Sequence, residues 1–268
     1  MTTVTSADGT PIAYEQAGDG PPVVVVGGAL CDRELLRPFA QELARYSTVL
    51  NYDRRGRGDS GDAAGSTVDR EVEDLAAVIA AAGGPAAVYG HSSGAALVLH
   101  AAARGLPIDA LVLHEAPFTP DSEEHRRASL DYVERLDALL EEGRRGEAVE
   151  LFLRLTGAPP EAVGEMRTGP WWPRAQAMAP TLAYDSAAVG HRAGGTVPAE
   201  LLADVPIPAP AMVLCGGASP AWMIEAGRRI ADALPDGRLR VLEGEGHVVS
   251  PERLAPLVGE FFKAAEAT

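Results

Sequence analysis

The residues best placed to do covalent chemistry are Gly90-His91-Ser92-Ser93-Gly94, a serine held between glycines in the pattern G-x-S-x-G. The run before it, Ala86-Ala87-Val88-Tyr89, is β-prone, and a small-residue helix over Ser93–Arg104 follows. Strand, sharp turn and helix in that order push a serine hydroxyl clear of both elements, the setting a nucleophile needs. Glycines at 90 and 94 leave no Cβ to collide where the helix doubles back over the strand. The backbone N–H of Ser93 opens that helix and points where negative charge would develop during attack.

A serine hydroxyl is a weak nucleophile until a neighbour takes its proton, so the chain must also supply a base and a group to orient it. There are six histidines. His247 ends Leu242-Glu243-Gly244-Glu245-Gly246-His247, where glycines allow the loop to bend back toward Ser92. His114, at the end of a strand, is the only other histidine expected near the serine. His91 is expected to pack beside the turn, and His100, His125 and His191 to be bystanders.

The elements that must position these groups follow in order. Residues 1–18 read as two short strands joined at Ala7-Asp8-Gly9, since Asp-Gly is a strong hairpin signal. Val23–Val26 is a continuous β-branched run, the mark of a parallel strand buried on both faces. Helical spacing over Arg33–Arg45, with Asp32 as cap, precedes a strand at Thr48–Tyr52 and a helix at Val68–Ala82. After the serine turn and its helix, a strand at Ala110–Glu115 stops at Ala116-Pro117. Strand alternating with helix at this spacing predicts parallel βαβ units with right-handed crossovers.

That rhythm breaks over 118–205, where no strand signal occurs and helical spacing dominates Ala128–Glu142 and Glu147–Leu155. Pro206–Pro210 reads as a rigid linker, after which strands at Ala211–Cys215 and Leu239–Leu242 alternate with helices at Ala221–Leu234 and Pro251–Ala265. The expected organisation is one sheet domain, 1–117 with 206–268, carrying a helical cap inserted at 118–205. Trp171, Trp172, Met166, Met178 and Tyr184 fall in that insert and are the candidates for an apolar substrate pocket.

Composition excludes several classes. The chain has 268 residues, 46% hydrophobic and 23% charged, as an ordinary soluble globular protein has. Its net charge of −15 argues against a nucleic-acid partner, which calls for clustered Lys and Arg. Arg54, Arg55 and Arg57 make a small basic patch, expected to serve a turn and its ion pairs. No apolar run approaches the roughly 20 residues of a membrane span, and no secretory signal opens the sequence. Two distant cysteines, Cys31 and Cys215, make no disulfide framework and fit a reducing cytoplasm, each free and buried. No P-loop, dinucleotide fingerprint or metal-ligand cluster is present in the sequence, so no cofactor or metal is expected.

Taken together, the glycine-rich turn after the valine strand, the Tyr52–Ser60 turn (Y-D-R-R-G-R-G-D-S), the G-H-S-S-G turn, the insert and E-G-E-G-H at 243–247 resemble the capped α/β-hydrolases over nearly the whole chain. That resemblance implies a mostly parallel eight-stranded sheet with helices on both faces and a helical cap after the sixth strand. It implies Ser92 as nucleophile, His247 as base, and backbone N–H groups of Ser93 and Ala29 as the oxyanion hole. Family members usually carry the acid just after the strand that here ends at Cys215, but this loop reads Gly216-Gly217-Ala218-Ser219-Pro220, without a carboxylate. Some members take the acid from the loop after the preceding strand, where this chain has Glu115. A carboxylate closing an apolar strand needs a partner, and an imidazole N–H would serve.

The resulting expectation is a Ser-His-Glu hydrolase of an ester, thioester or lactone of a small-to-medium apolar compound. A serine at position 92 disfavours the family branches that use an aspartate nucleophile. C–C hydrolysis, acyl transfer and cofactor-free perhydrolysis use the same residues. A non-hydrolytic cyclase or ligand-binding module is the alternative that the carboxylate-free loop after Cys215 suggests.

Overall fold

A computed structural model describes residues 2–63, 65–197 and 209–266. Its strands are β1 (Thr2–Thr5), β2 (Pro11–Ala17), β3 (Pro22–Val26), β4 (Thr48–Tyr52), β5 (Ala86–His91), β6 (Ile108–His114), β7 (Ala211–Gly216) and β8 (Gly237–Leu242). They form one eight-stranded sheet in the order β1-β2-β4-β3-β5-β6-β7-β8. The Asp8-Gly9 hairpin joins β1 and β2, and β2 also pairs antiparallel with β4; every other pairing is parallel. From β3 the chain lays β4 on one side and β5 on the other. Open parallel sheets bind ligands at the carboxyl ends of the strands flanking such a reversal. Here those ends are Gly27-Gly28 and Ser92.

The two-residue period of the strands sorts their side chains onto opposite faces, and both faces are covered. Val24, Val26, Leu50, Val88, Leu111 and Val213 pack under helices α2 (Val68–Ala81), α3 (Ser93–Ala103) and α9 (Ala221–Ala233). Val23, Val25, Val49, Val112 and Leu214 pack under α1 (Arg33–Leu43) and α10 (Pro251–Glu266). Each such aliphatic residue contributes about 1.5–3 kcal/mol of burial, so the valine run of β3 pins the centre of the molecule. Asp32 caps α1 as expected, accepting from the Leu35 N–H at 3.0 Å. Cys215 is buried, whereas Cys31 is half-buried, and neither is in a disulfide.

Between β6 and β7 lie α4 (Glu123–Glu141), α5 (Arg145–Leu155), α6 (Pro160–Thr168), α7 (Trp172–Met178) and α8 (Leu182–Val189). Only the first two are legible from spacing. The others are short and are started or broken by prolines, so no long 3.6-residue period develops. Their apolar faces meet in a cluster that includes Leu136, Val149, Trp172, Met178 and Leu182, together with Leu30 from the turn after β3. No described residue from 118 to 197 is in a strand. Residues 206–208 of the expected proline linker lie outside the described residues. No described helix is long and apolar enough to cross a membrane.

Candidate active site

Ser92 sits at φ 56°, ψ −124°, between the end of β5 and the start of α3. Among the described residues, three non-glycines have positive φ: Leu30 at 53°, Ser92 at 56° and Glu115 at 52°. They follow β3, β5 and β6, which are neighbours in the sheet. Backbone held in this sparsely populated region persists where surrounding contacts impose it, and it concentrates at functional sites. The glycines around Ser92 answer a steric need. A Cβ at Gly94 would stand 2.5 Å from the Val26 carbonyl oxygen, and one at Gly90 2.7 Å from the Gly94 carbonyl oxygen. Gly28 is as tight, since its Cβ would lie 2.9 Å from that of Ser92. The turn after β3 and the serine turn therefore pack together with no room for a side chain at Gly28.

Glu115 is essentially inaccessible, at 1% exposure. Its Oε1 accepts the Gly216 N–H at 2.7 Å, and its Oε2 lies 2.5 Å from His247 Nδ1. A backbone bond from the Glu115 N–H to the Leu214 carbonyl and another from the Ser92 N–H to the His114 carbonyl fix these segments against each other. Burial pushes the Glu115 carboxyl up, but His247, the nearby Ser219 hydroxyl and the Gly216 N–H outweigh it and hold the group below its ordinary range. A carboxylate only accepts, so the His247 Nδ1 carries a proton, and the tautomer this selects is the one whose Nε2 can accept. The strand β7 runs one residue further than expected, and its last residue, Gly216, contributes to this arrangement through its backbone N–H and not through a side chain.

His91 does more than pack. Its Nε2 donates to the His247 carbonyl at 3.0 Å, and the two rings lie 4.7 Å apart. The residue preceding the serine thus ties down the loop that carries His247. Behind it, the His114 ring lies tilted at 4.9 Å and bonds through Nδ1 to the Tyr89 hydroxyl at 2.7 Å. Burial pushes the His91 imidazole down to about 4, helped by the facing His247, and pushes His114 well below its ordinary value. Both shifts favour the neutral imidazole.

The Tyr52–Ser60 turn reaches further than a turn beneath the site. Arg55 pairs with Asp74 of α2 through both carboxylate oxygens, at 2.7 Å each, which is structural anchoring. Arg54 pairs with Glu71 at 2.7 and 2.8 Å and extends Nη1 to the Gly27 carbonyl at 3.1 Å. Arg57 donates to the Gly28 carbonyl at 2.5 Å. Both arginines also hold Asp185 of α8, whose Oδ1 accepts from Arg54, Arg57 and the Ser93 hydroxyl at 2.7–2.8 Å. Burial pushes the Asp185 carboxyl up, but Arg57, Arg54 and the Ser93 hydroxyl hold it below its ordinary range. Sequence reading missed Asp185. Its partner Ser93 is 92 positions away, and one acid in a short helix carries no signal of its own.

The five apolar candidates divide. Trp172 and Met178 are buried in the cluster that also takes in Leu30 and Ala29, and Trp171 packs against it, edge-on to Trp172 at 6.4 Å. Met166 is instead 39% exposed and lies outside that cluster. The Tyr184 hydroxyl is occupied by the Asp62 carboxylate at 2.9 Å. Of the remaining histidines, His100 bonds the Ala188 carbonyl, His125 the Ser122 hydroxyl and His191 the Ser186 hydroxyl, all within or onto the helical segment.

With this geometry in view, residues 13–258 match the model of the alpha/beta hydrolase family. An alpha/beta hydrolase from Sphaerobacter thermophilus DSM 20745 is similar at 49% identity and TM-score 0.87, over 97% of this chain and 100% of that one. A thermophilic esterase from Thermogutta terrifontis is similar in fold, at 24% identity and TM-score 0.69, over 98% of both chains. A meta-cleavage product hydrolase from Pseudomonas fluorescens IP01 shares the fold at 20% identity and TM-score 0.67, over 99% of this chain and 98% of its own. The uncharacterized hydrolase YraK of Bacillus subtilis (strain 168) is 36% identical over 95 residues, 34% of this chain; the match spans about a third (35%) of that curated relative's length.

Proposed function

The chain belongs to the alpha/beta hydrolase family, and on that premise we propose that it is a serine hydrolase using Ser92, His247 and Glu115. Its bond is an ester, thioester or lactone of a small-to-medium apolar compound. The observation that carries the reading is the 2.5 Å contact between His247 Nδ1 and the buried Glu115 carboxylate. It supports Glu115 as the orienting acid in place of the carboxylate missing from the loop after Cys215, and with it the ground for a non-hydrolytic reading weakens.

In this reading Glu115 keeps the His247 proton on Nδ1, so Nε2 takes the Ser92 hydroxyl proton as Oγ bonds to the substrate carbonyl carbon. The carbonyl π electrons move to oxygen, and that oxyanion accepts from the Ser93 and Ala29 N–H groups, the first at the positive end of α3. Collapse breaks the bond to the leaving oxygen or sulfur, which takes the proton from Nε2. Water then repeats the sequence: His247 removes its proton, the acyl group leaves Ser92, and the proton returns to Oγ. Glu115 stabilises the imidazolium that forms in each half. The helical segment acts as a cap, and Trp171, Trp172 and Met178, clustered with Leu30 and Ala29, give the acyl side its apolar wall.

Turnover of 4-nitrophenyl butyrate by the protein and by Ser92→Ala tests this. The expected result is steady hydrolysis by the wild type and a loss of at least about a thousandfold in the variant. Equal rates in the two would refute the serine mechanism.

A further inference from the structure

The best-defined polar assembly outside the triad is the buried cluster of Arg54, Arg57, Glu71 and Asp185, and one of its bonds is aimed at the chemistry. Arg57 is 1% exposed and donates Nη1 to the Gly28 carbonyl at 2.5 Å. That carbonyl belongs to the same peptide group as the Ala29 N–H. The peptide is planar and trans, so its C=O and N–H point in opposite directions. Fixing one end aims the other. A charged donor on the carbonyl also polarises the amide, making its N–H a stronger donor on the far side.

Arg57 makes this bond at the expense of a better ion pair. A forked guanidinium facing a carboxylate ordinarily gives two parallel bonds. Here only Nη2 goes to Asp185, and Arg57 Nε and Asp185 Oδ2 are both buried without a hydrogen-bond partner. The same Asp185 oxygen accepts from the hydroxyl of Ser93, whose backbone N–H is the other proposed oxyanion donor. One carboxylate on α8 therefore connects the two turns that meet at Gly28 and Ser92.

We propose that Arg57 is a positioning residue for the oxyanion hole, holding the Gly28–Ala29 peptide so that the Ala29 N–H faces the developing oxyanion, with Asp185 coupling it to Ser93. This rests on the reading of Ala29 and Ser93 as oxyanion donors. It assigns to α8 a second role beside covering the site, since Asp185 is the link through which the helical segment reaches both donors.

The test uses the full chain, Arg57→Met and Arg57→Lys, each checked for folding by far-UV circular dichroism and thermal melting. Kinetics on 4-nitrophenyl butyrate are paired with inhibition by an aryl trifluoromethyl ketone, whose adduct on serine places an oxyanion where the tetrahedral intermediate has one. Arg57→Met should lower kcat by about a hundredfold, near the effect of losing one oxyanion donor, with KM within about threefold. Ketone affinity should fall in step with kcat/KM, and Arg57→Lys should recover part of both. A folded Met variant with kcat within threefold of wild type overturns the proposal. So does a loss confined to KM, or a loss of kcat that ketone affinity does not follow. If the Met variant does not fold, the Lys variant decides by the same correlation. A wild type that neither hydrolyses ester nor binds the ketone removes the hydrolase reading and this inference with it; an active wild type with indifferent Arg57 variants removes the inference alone.

Discussion

Replacing Glu115 with Gln tests the acid of the proposed triad, and the structure sets the size of the effect. Two donors converge on the carboxylate, Gly216 N–H at Oε1 and His247 Nδ1 at Oε2. A glutamine side chain has one acceptor and one donor end. If its oxygen serves His247, its NH2 meets the buried Gly216 N–H, leaving donors face to face at about 1–3 kcal/mol. If it turns round, the NH2 meets Nδ1, the imidazole proton moves to Nε2, and the base loses the lone pair it needs. Both arrangements also lack the charge that stabilises the imidazolium, a further 1.5–3 kcal/mol or so by the worth of a charged hydrogen bond. The sum, about 2.5–6 kcal/mol, corresponds to roughly a 10²- to 10⁴-fold loss of kcat. Initial rates on 4-nitrophenyl butyrate at pH 7.5–8.5 would measure it, with circular dichroism to show that the variant folds. A folded Glu115→Gln variant losing less than tenfold would refute the argument.

Gly94→Ala should melt lower by roughly 5–10 °C and lose activity, because its Cβ must displace the Val26 and Gly27 carbonyls at 2.5 and 2.6 Å; an unchanged Tm would contradict the close-approach argument. Stability should fall as pH drops from 6.5 toward 4, since His91 and His191 are held at about 4 by burial and the unfolded chain takes up their protons first. Denaturant titrations across that range should show the slope, and His91→Gln/His191→Gln should flatten it. Glu115, held below its ordinary range, contributes stability above that range which is lost as pH falls through its lowered value. Glu115→Gln should therefore reduce the remaining acid-side loss in the same titrations.

What could be read from sequence was whatever is written locally. The serine turn shows itself because strand, glycines and helix are adjacent, and the valine run of β3 because a strand covered on both faces has no polar alternation. Glu115 was legible as a misfit, a carboxylate closing an apolar strand. Its bond to His247 spans 132 positions and exists only once β6, β7 and the loop after β8 are laid side by side. The roles of Arg57 and His91 stayed hidden for the same reason. Each acts through a backbone carbonyl, of Gly28 and His247 respectively, and a carbonyl has no residue type to recognise. Among the apolar candidates, aromatic and methionine content pointed to the helical segment but not to a face. Trp172 and Met178 turn inward, Met166 turns to solvent, and only packing separates them.

Everything proposed for this site depends on Ser92 being an activated nucleophile. Incubating the protein with a fluorophosphonate and measuring intact mass, followed by peptide mapping, tests it most directly. An activated Ser92 gives a single adduct on wild type, located at Ser92, absent in Ser92→Ala and slow to form in His247→Ala. No adduct on wild type, or one that persists in Ser92→Ala, would contradict it.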